Sequence, residues 1–193
     1  MLESLLTRVA KRLDERAIPY MVIGGQAVLL YGEPRHTKDV DITLGVGPEE
    51  AAQIIDLAAA CGCQVLAEAP VEFVQQTLVL PCADPESGLR LDLVFSFSPY
   101  EQEAIARSTV VSVDGVPVHF ATKEDLLIHK IVAGRPRDIE DVRAVLLKNP
   151  DVDLDLVRHW LAQFEKALDE PLLARLQSVL QDAGREDDSA LLD

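Results

Sequence analysis

The segment KDVDITL, residues 38–44, alternates charged and apolar residues with a period of two. Successive side chains of a β-strand point to opposite faces of the sheet. The pattern therefore predicts a strand with Asp39 and Asp41 on one face and Val40 and Ile42 on the other. The Cα atoms of the two aspartates would lie about 6.5–7 Å apart. Because Asp disfavours strands, such an acidic face needs a compensating interaction.

A glycine pair lies shortly before this strand. Tyr20–Ile23 is an apolar run typical of a buried strand, Gly24 and Gly25 end it, and residues 26–31 favour a short helix. Such a turn offers backbone N–H groups, a helix N-terminus and no Cβ, which suit a phosphate-binding loop. Taken alone, a paired glycine is better explained by a simple tight turn.

The remaining pattern predicts an α+β fold, in which helices flank a mixed β-sheet and a helical annex follows. An amphipathic helix opens the chain, and every segment after Thr122 has helical spacing. Further strands are expected at residues 64–66, 73–80, 89–97, 110–113 and 116–120. The predicted boundaries are residues 1–149 for the sheet domain, 150–183 for the annex and 184–193 for a flexible tail.

Composition excludes several classes of protein. The chain has 18 Lys and Arg against 33 Asp and Glu, a net charge of -15, which repels phosphate backbones and argues against broad nucleic-acid coating. Three cysteines, Cys61, Cys63 and Cys82, lack the spacing of a disulfide framework or zinc knuckle, so we expect buried or idle thiols in a reducing compartment. Signal-peptide and membrane-span patterns are missing from the sequence, which predicts a cytoplasmic protein without a membrane partner.

A third carboxylate follows in the strand-like run Leu89–Phe97, where Asp92 alternates with core residues. Mg2+ prefers oxygen ligands and is held in proteins by one or two carboxylates together with substrate phosphates. The three aspartates are therefore candidate metal ligands. The alternatives are a solvated strand face for Asp39 and Asp41, and an edge position or a pairing with Arg90 for Asp92.

Basic side chains are candidates for neutralising a bound triphosphate. Lys123 and Lys130 are seven residues apart, hence on one helical face, and Arg35 and Lys38 flank the first acidic strand. The alternative for all four is solvated surface. Acidic residues at 138 and 141 are expected in the first turn of a helix for reasons of the helix dipole.

Three segments in this order carry a family resemblance: VIGGQAVLLYGEPRHTKDVDITL, LRLDLVF and ATKEDLLIHKIVAGRPRDIEDV. The order of strand, Gly-Gly, short helix, Asp-x-Asp strand and later single Asp resembles the minimal nucleotidyltransferases of the DNA polymerase β superfamily. More narrowly, it resembles the nucleotidyltransferases of the AbiEii toxin type. The resemblance extends from Tyr20 to about Leu147.

The resemblance implies a role for each matching residue. Asp39, Asp41 and Asp92 would be the catalytic, metal-binding carboxylates, and Gln26 stands where many members of the family have Ser. In the family the third carboxylate helps to ligate the second metal and activates the acceptor hydroxyl. The residues implied to bind the nucleotide are Gly24, Gly25, Arg35, Thr37, Lys38 and Lys130.

The implied activity is transfer of a nucleoside monophosphate from a nucleoside triphosphate such as ATP to a hydroxyl group, by in-line displacement with two Mg2+ ions or Mn2+ in their place. The acceptor stays open between a tRNA end, a protein side chain and a small molecule such as an aminoglycoside. The alternative is a catalytically degenerate, toxin–antitoxin-like module that binds a nucleotide or a protein partner, the latter through its C-terminal helices.

Overall fold

The fold is that of a computed structural model, which describes residues 2–34, 37–96 and 98–185. Within these residues the chain forms nine α-helices and seven β-strands. The helices are α1 Leu2–Glu15, α2 Gly24–Tyr31, α3 Ala51–Ala60, α4 Pro70–Thr77, α5 Pro99–Ala106, α6 Lys123–Ala133, α7 Pro136–Lys148, α8 Leu154–Leu168 and α9 Leu172–Asp182. The strands are β1 Tyr20–Ile23, β2 Asp39–Leu44, β3 Gln64–Val65, β4 Val79–Ala83, β5 Arg90–Phe95, β6 Thr109–Val113 and β7 Val116–Phe120.

All seven of these strands join one mixed sheet in the order β3-β4-β5-β2-β1-β7-β6. Strand β2 is central, antiparallel to β1 on one side and parallel to β5 on the other. The expected hairpin joins β6 to β7, with positive φ angles of 48° at Asp114 and 79° at Gly115 that fit a type I′ turn. The predicted α+β architecture is therefore confirmed.

The apolar side chains of β2 and β5 build the core of the sheet. Val40, Ile42 and Leu44 of β2 are fully buried, as are Leu91, Leu93 and Phe95 of β5. Helix α1 packs its apolar face on β7 and α3, burying the residues Leu5, Leu6, Val9, Ala10 and Leu13. The burial thus follows the period of two in the strands and of 3.6 in the helix.

Two helices, α4 and α5, differ from what the sequence analysis predicted. The run Phe73–Leu80 was expected to be a strand, but residues up to Thr77 belong to α4, and only Val79–Ala83 is extended. Pro70 starts that helix and Leu78, at φ 59°, ends it. Helix α5 was not predicted, although Ser98 and Glu101 form a capping box at its start.

The described residues divide into two compact units by their contacts. Residues 2–27, 37–96 and 98–122 form the first unit, which holds the whole sheet, and residues 28–34 and 123–185 form the second, which holds α6 to α9. In the second unit α6 packs against α7, α8 and α9. The annex boundaries at 150–183 stay a prediction, and the tail predicted at 184–193 lies outside the described residues from residue 186 onward.

The three cysteines are free and buried, as the sequence indicated. Burial raises the pKa of Cys61 to about 11 and that of Cys82 to about 12, so these thiols are protonated at neutral pH. None of the described helices has the length and apolar character that crossing a bilayer requires.

Candidate active site

The parallel pairing of β2 with β5 brings the predicted carboxylates together. Asp41 and Asp92 are direct register partners on the two strands, and Asp39 lies two residues before Asp41, opposite Arg90. Asp39 is exposed, whereas Asp41 and Asp92 are half-buried. All three therefore lie at the end of the strand pair where β2 begins.

The electrostatic cost of burying the Asp92 carboxyl group is only partly compensated. Burial raises its pKa above the usual 3.8, the nearby Arg90 opposes this shift, and the negative charge of Asp39 adds to it. The Oδ1 atom of Asp92 is buried without a hydrogen-bond partner in the described part of the chain, and the closest guanidinium nitrogen of Arg90 is 3.8 Å away. The pairing with Arg90 is thus present but weak, and one oxygen is left for another donor or cation.

Gly24 makes a close approach to the same cluster. It follows Ile23, the register partner of Asp41, and turns the chain into α2 with a φ of 63°. A Cβ built on Gly24 would overlap the Asp41 carboxylate and would come within 3.0 Å of its Cγ. The Gly-Gly turn therefore lies directly against the acidic strand, and Gly25 continues the first turn of α2.

Two polar side chains converge on the backbone of Asp39. Gln26 Nε2 and Thr37 Oγ1 each donate to the Asp39 carbonyl oxygen at 3.3 Å. The Lys38 side chain is exposed, while its carbonyl accepts from the N–H of Arg90 at 3.2 Å. Sequence reasoning named Thr37 and Lys38 for the nucleotide and missed that Gln26 and Thr37 share one acceptor.

Lys130 belongs to the second unit and makes a buried ion pair there. Its ammonium nitrogen is 2.6 Å from Asp138 Oδ1 and 2.8 Å from Asp141 Oδ2. All three residues are less than a tenth exposed, at 8%, 7% and 6%. The two aspartates were expected to serve only the helix dipole, so the structure gives them a partner that the sequence analysis missed. The predicted nucleotide ligand Arg35 lies outside the described residues.

The acidic cluster suits a hard cation by its donor type. Asp39, Asp41 and Asp92 offer carboxylate oxygens only, and one buried oxygen of Asp92 has no hydrogen-bond partner among the described residues. Across residues 2–34, 37–96 and 98–185, however, no group of three acidic, His or Cys side chains is already arranged around a metal position. The fit therefore rests on the chemistry of the donors, with side-chain adjustment needed to close the site.

The contact between Gly24 and Asp41 predicts a destabilised Gly24→Ala variant. A positive φ alone costs an alanine about 1–2 kcal/mol, and here the added Cβ also displaces the Asp41 carboxylate. The matched control is Gly62→Ala, because Gly62 has a φ of 72° and open space where its Cβ would lie. Urea unfolding should show the larger loss for Gly24→Ala, and equal losses would contradict the close approach.

The raised pKa of Asp92 predicts a stabilised Asp92→Asn variant. At a pH above 3.8, the usual pKa of an Asp side chain, Asp92 binds more protons in the folded state than in the unfolded state. The free energy of unfolding therefore falls as the pH rises. Removing the charge should raise the Tm of the cation-free protein by a few degrees at neutral pH. The gain should disappear well below pH 3.8, where the Asp92 carboxyl group is protonated in both the folded and the unfolded state. Thermal unfolding in chelator at both pH values checks this, and a lower Tm at neutral pH would oppose it.

The ion pair of Lys130 predicts a strong effect on stability. Lys130→Met would leave two buried carboxylates without their cation, and the free energy of unfolding should fall by about 3 kcal/mol. Lys123→Met is the control on the same helix, because Lys123 pairs with the exposed Asp151 and its loss should have little effect. If Lys130→Met and Lys123→Met unfold at the same urea concentration, the ion pairs of Lys130 with Asp138 and Asp141 do not stabilise the second unit.

The family model described as "Nucleotidyl transferase AbiEii toxin, Type IV TA system" matches residues 8–193. A comparison with curated proteins gives no significant match. Among solved structures, the solution structure of the antibiotic-resistance factor ANT(2'')-Ia has a TM-score of 0.60 at 18% identity, covering 87% of this chain and 93% of that one.

Two further solved structures share the fold. An antigenic nucleotidyltransferase-like protein from Paracoccidioides brasiliensis has a TM-score of 0.58 at 18% identity, covering 99% of this chain and 96% of that one. A crystal structure of ANT(2'')-Ia in complex with adenylyl-2''-tobramycin has a TM-score of 0.57 at 19% identity, covering 84% of this chain and 98% of that one. These likenesses show a shared fold, and the family match covers nearly the whole sequence: the chain belongs to the AbiEii family of nucleotidyltransferases.

Proposed function

We propose that the protein transfers a nucleoside monophosphate from a nucleoside triphosphate to a hydroxyl acceptor. The observation that carries this proposal is the pairing of Asp41 with Asp92 in register, with Asp39 at the start of the same strand. Gly24 lies against that cluster, so the N-terminal turn of α2 adjoins the carboxylates. Membership of a nucleotidyltransferase family supports the same conclusion.

The proposed reaction is an in-line displacement at the α-phosphorus. The acceptor hydroxyl oxygen forms a bond to that phosphorus, the bond to the bridging oxygen of the β-phosphate breaks, and its electron pair leaves with pyrophosphate. Asp92 would take the proton of the acceptor hydroxyl, because burial raises the pKa of its carboxyl group and so makes it a better proton acceptor. Asp39, Asp41 and Asp92 would hold Mg2+ ions, or Mn2+ in their place, whose charge stabilises the attacking and leaving oxygens.

The triphosphate would be held mainly by backbone and basic groups. The first turn of α2, which begins at Gly24 and Gly25, would bind an anionic phosphate group at the helix N-terminus. Thr37, Lys38 and Arg35 precede or open the acidic strand and are proposed as further ligands. Lys130, which pairs with Asp138 and Asp141 in the second unit, stays a proposed nucleotide ligand on the ground of the family resemblance alone.

A small molecule with a free hydroxyl is the acceptor that we place first. The net charge of -15 opposes a polyanionic RNA. The fold neighbour ANT(2'')-Ia is described with an adenylyl-tobramycin product, which suggests ATP as donor and a small acceptor here. A tRNA end and a protein side chain are the other acceptor classes.

We also propose a cytoplasmic location, because the three cysteines are free and disulfides are rare in the reducing cytosol.

A binding module without turnover is the second candidate function. Gln26 brings no hydroxyl to the turn, and its amide donates to the Asp39 carbonyl. Such a module would bind a nucleotide or a protein partner, the latter through helices α8 and α9, in a toxin–antitoxin-like role. Mg2+-dependent nucleotide binding without release of pyrophosphate would favour it.

The proposed transfer can be tested with labelled nucleotides. Each labelled triphosphate is incubated with Mg2+, the protein and a cell extract separated into small molecules, RNA and proteins. Label should move from the nucleotide into one fraction, and Asp41→Asn should lower that transfer by about 10³-fold or more. The fraction that becomes labelled identifies the acceptor class.

Asp114→Asn is the matched control for this assay. It makes the same chemical change at an exposed hairpin residue with positive φ, where Asn is well tolerated. Its transfer rate should equal that of the wild type. Undiminished transfer in a folded Asp41→Asn variant would overturn the proposed site.

A further inference from the structure

The first residues of β2 extend beyond the end of β1. Strand β1 ends at Ile23, which pairs with Asp41, and Gly24 then turns the chain into α2. Asp39 has Arg90 of β5 as its register partner, but the described part of β1 offers it none. Its backbone therefore lacks the second strand that holds the residues later in β2.

Two side chains take the place of the missing strand. Gln26 Nε2 and Thr37 Oγ1 both donate to the Asp39 carbonyl oxygen at 3.3 Å. Gln26 is only 4% exposed and lies in the apolar helix GGQAVLLY. A buried amide without a partner costs about 1–3 kcal/mol, so this hydrogen bond offsets the cost of burying the Gln26 amide.

We propose that Gln26 is a positioning residue that acts through the backbone of Asp39, with Thr37 as the second donor to the same carbonyl. The bond fixes the first residue of β2 to the first turn of α2. It thereby sets the distance between the Asp39 carboxylate and the Gly-Gly turn. The inference rests on the proposed function, because it matters only if Asp39 holds a cation.

This role differs from direct contact with the substrate. Many members of the family that the sequence resembles have Ser in the place of Gln26, whereas here the amide is engaged inside the protein. A residue that contacts the triphosphate would change nucleotide affinity. A residue that orients a carboxylate changes cation affinity even when no nucleotide is present, because the bonds around a ligand residue tune its binding.

The test measures Mn2+ binding to the nucleotide-free full-length protein by calorimetry. Gln26→Met keeps the length and nearly the volume of the side chain and removes its donor, so the Mn2+ dissociation constant should rise about 10-fold. ATP affinity at saturating Mn2+ should stay unchanged. Thr37→Val should weaken Mn2+ binding in the same direction, and Thr37→Ser, which keeps the hydroxyl, should restore it.

Two reference variants separate this effect from general loss of structure. Leu29→Met makes a similar substitution in α2 at a side chain that is 40% exposed, and it should leave Mn2+ binding and Tm unchanged. Asp41→Asn should abolish most of the binding. Gln26→Met should still unfold cooperatively on heating. If Gln26→Met does not fold, Thr37→Val tests the same carbonyl contact at a half-buried residue.

The other outcomes overturn the inference in distinguishable ways. If the wild type binds Mn2+, Asp41→Asn abolishes binding and Gln26→Met has no effect, the positioning role is wrong while the proposed function stands. If Gln26→Met weakens ATP binding alone, Gln26 contacts the nucleotide instead. If the wild type binds no Mn2+ with or without ATP, both the positioning role and the proposed cation site fail.

Discussion

The register of β2 against β5 is the constraint on which both the core and the site depend. The alignment that places Ile42 beside Leu93 in the core also places Asp41 beside Asp92. A slip of one residue would turn every side chain of the strand to the opposite face and bury the acids. The protein therefore cannot form its core without bringing two like charges together. The negative charge of Asp39 also raises the pKa of Asp92, and such like-charge repulsion makes the cluster receptive to a cation.

Local patterns in the sequence were sufficient for most of the fold. Alternation in KDVDITL placed Asp39 and Asp41 on one strand face, and Asp114-Gly115 placed a hairpin, because both depend only on neighbouring residues. The run Phe73–Leu80 was mistaken because a short apolar segment has the same composition in a strand and in a helix turn. Pro70 carried the missing information, since proline is favoured in the first turn of a helix.

The candidate site was predictable in its residues and not in its contacts. Three aspartates could be named because each alternates with core residues, but the pairing of Asp41 with Asp92 depends on a register that no local pattern encodes. The hydrogen bond from the Gln26 side chain to the Asp39 carbonyl oxygen depends on β1 ending at Ile23. The ion pair between Lys130 and Asp138 spans eight residues and the break between α6 and α7. Each of these contacts joins separate elements, so only the assembled fold reveals them.

Gly24 limits the order in which residues of this site can be substituted. Two conditions hold it at glycine, a φ of 63° and the lack of space against Asp41. Asn tolerates such a φ but still carries a Cβ, so no replacement meets both conditions while the aspartate remains. Shortening residue 41 would open the space first. Among relatives that have lost the activity, we therefore expect substitution of Asp41 to precede substitution of Gly24. Some of these relatives would keep the glycine without the aspartate.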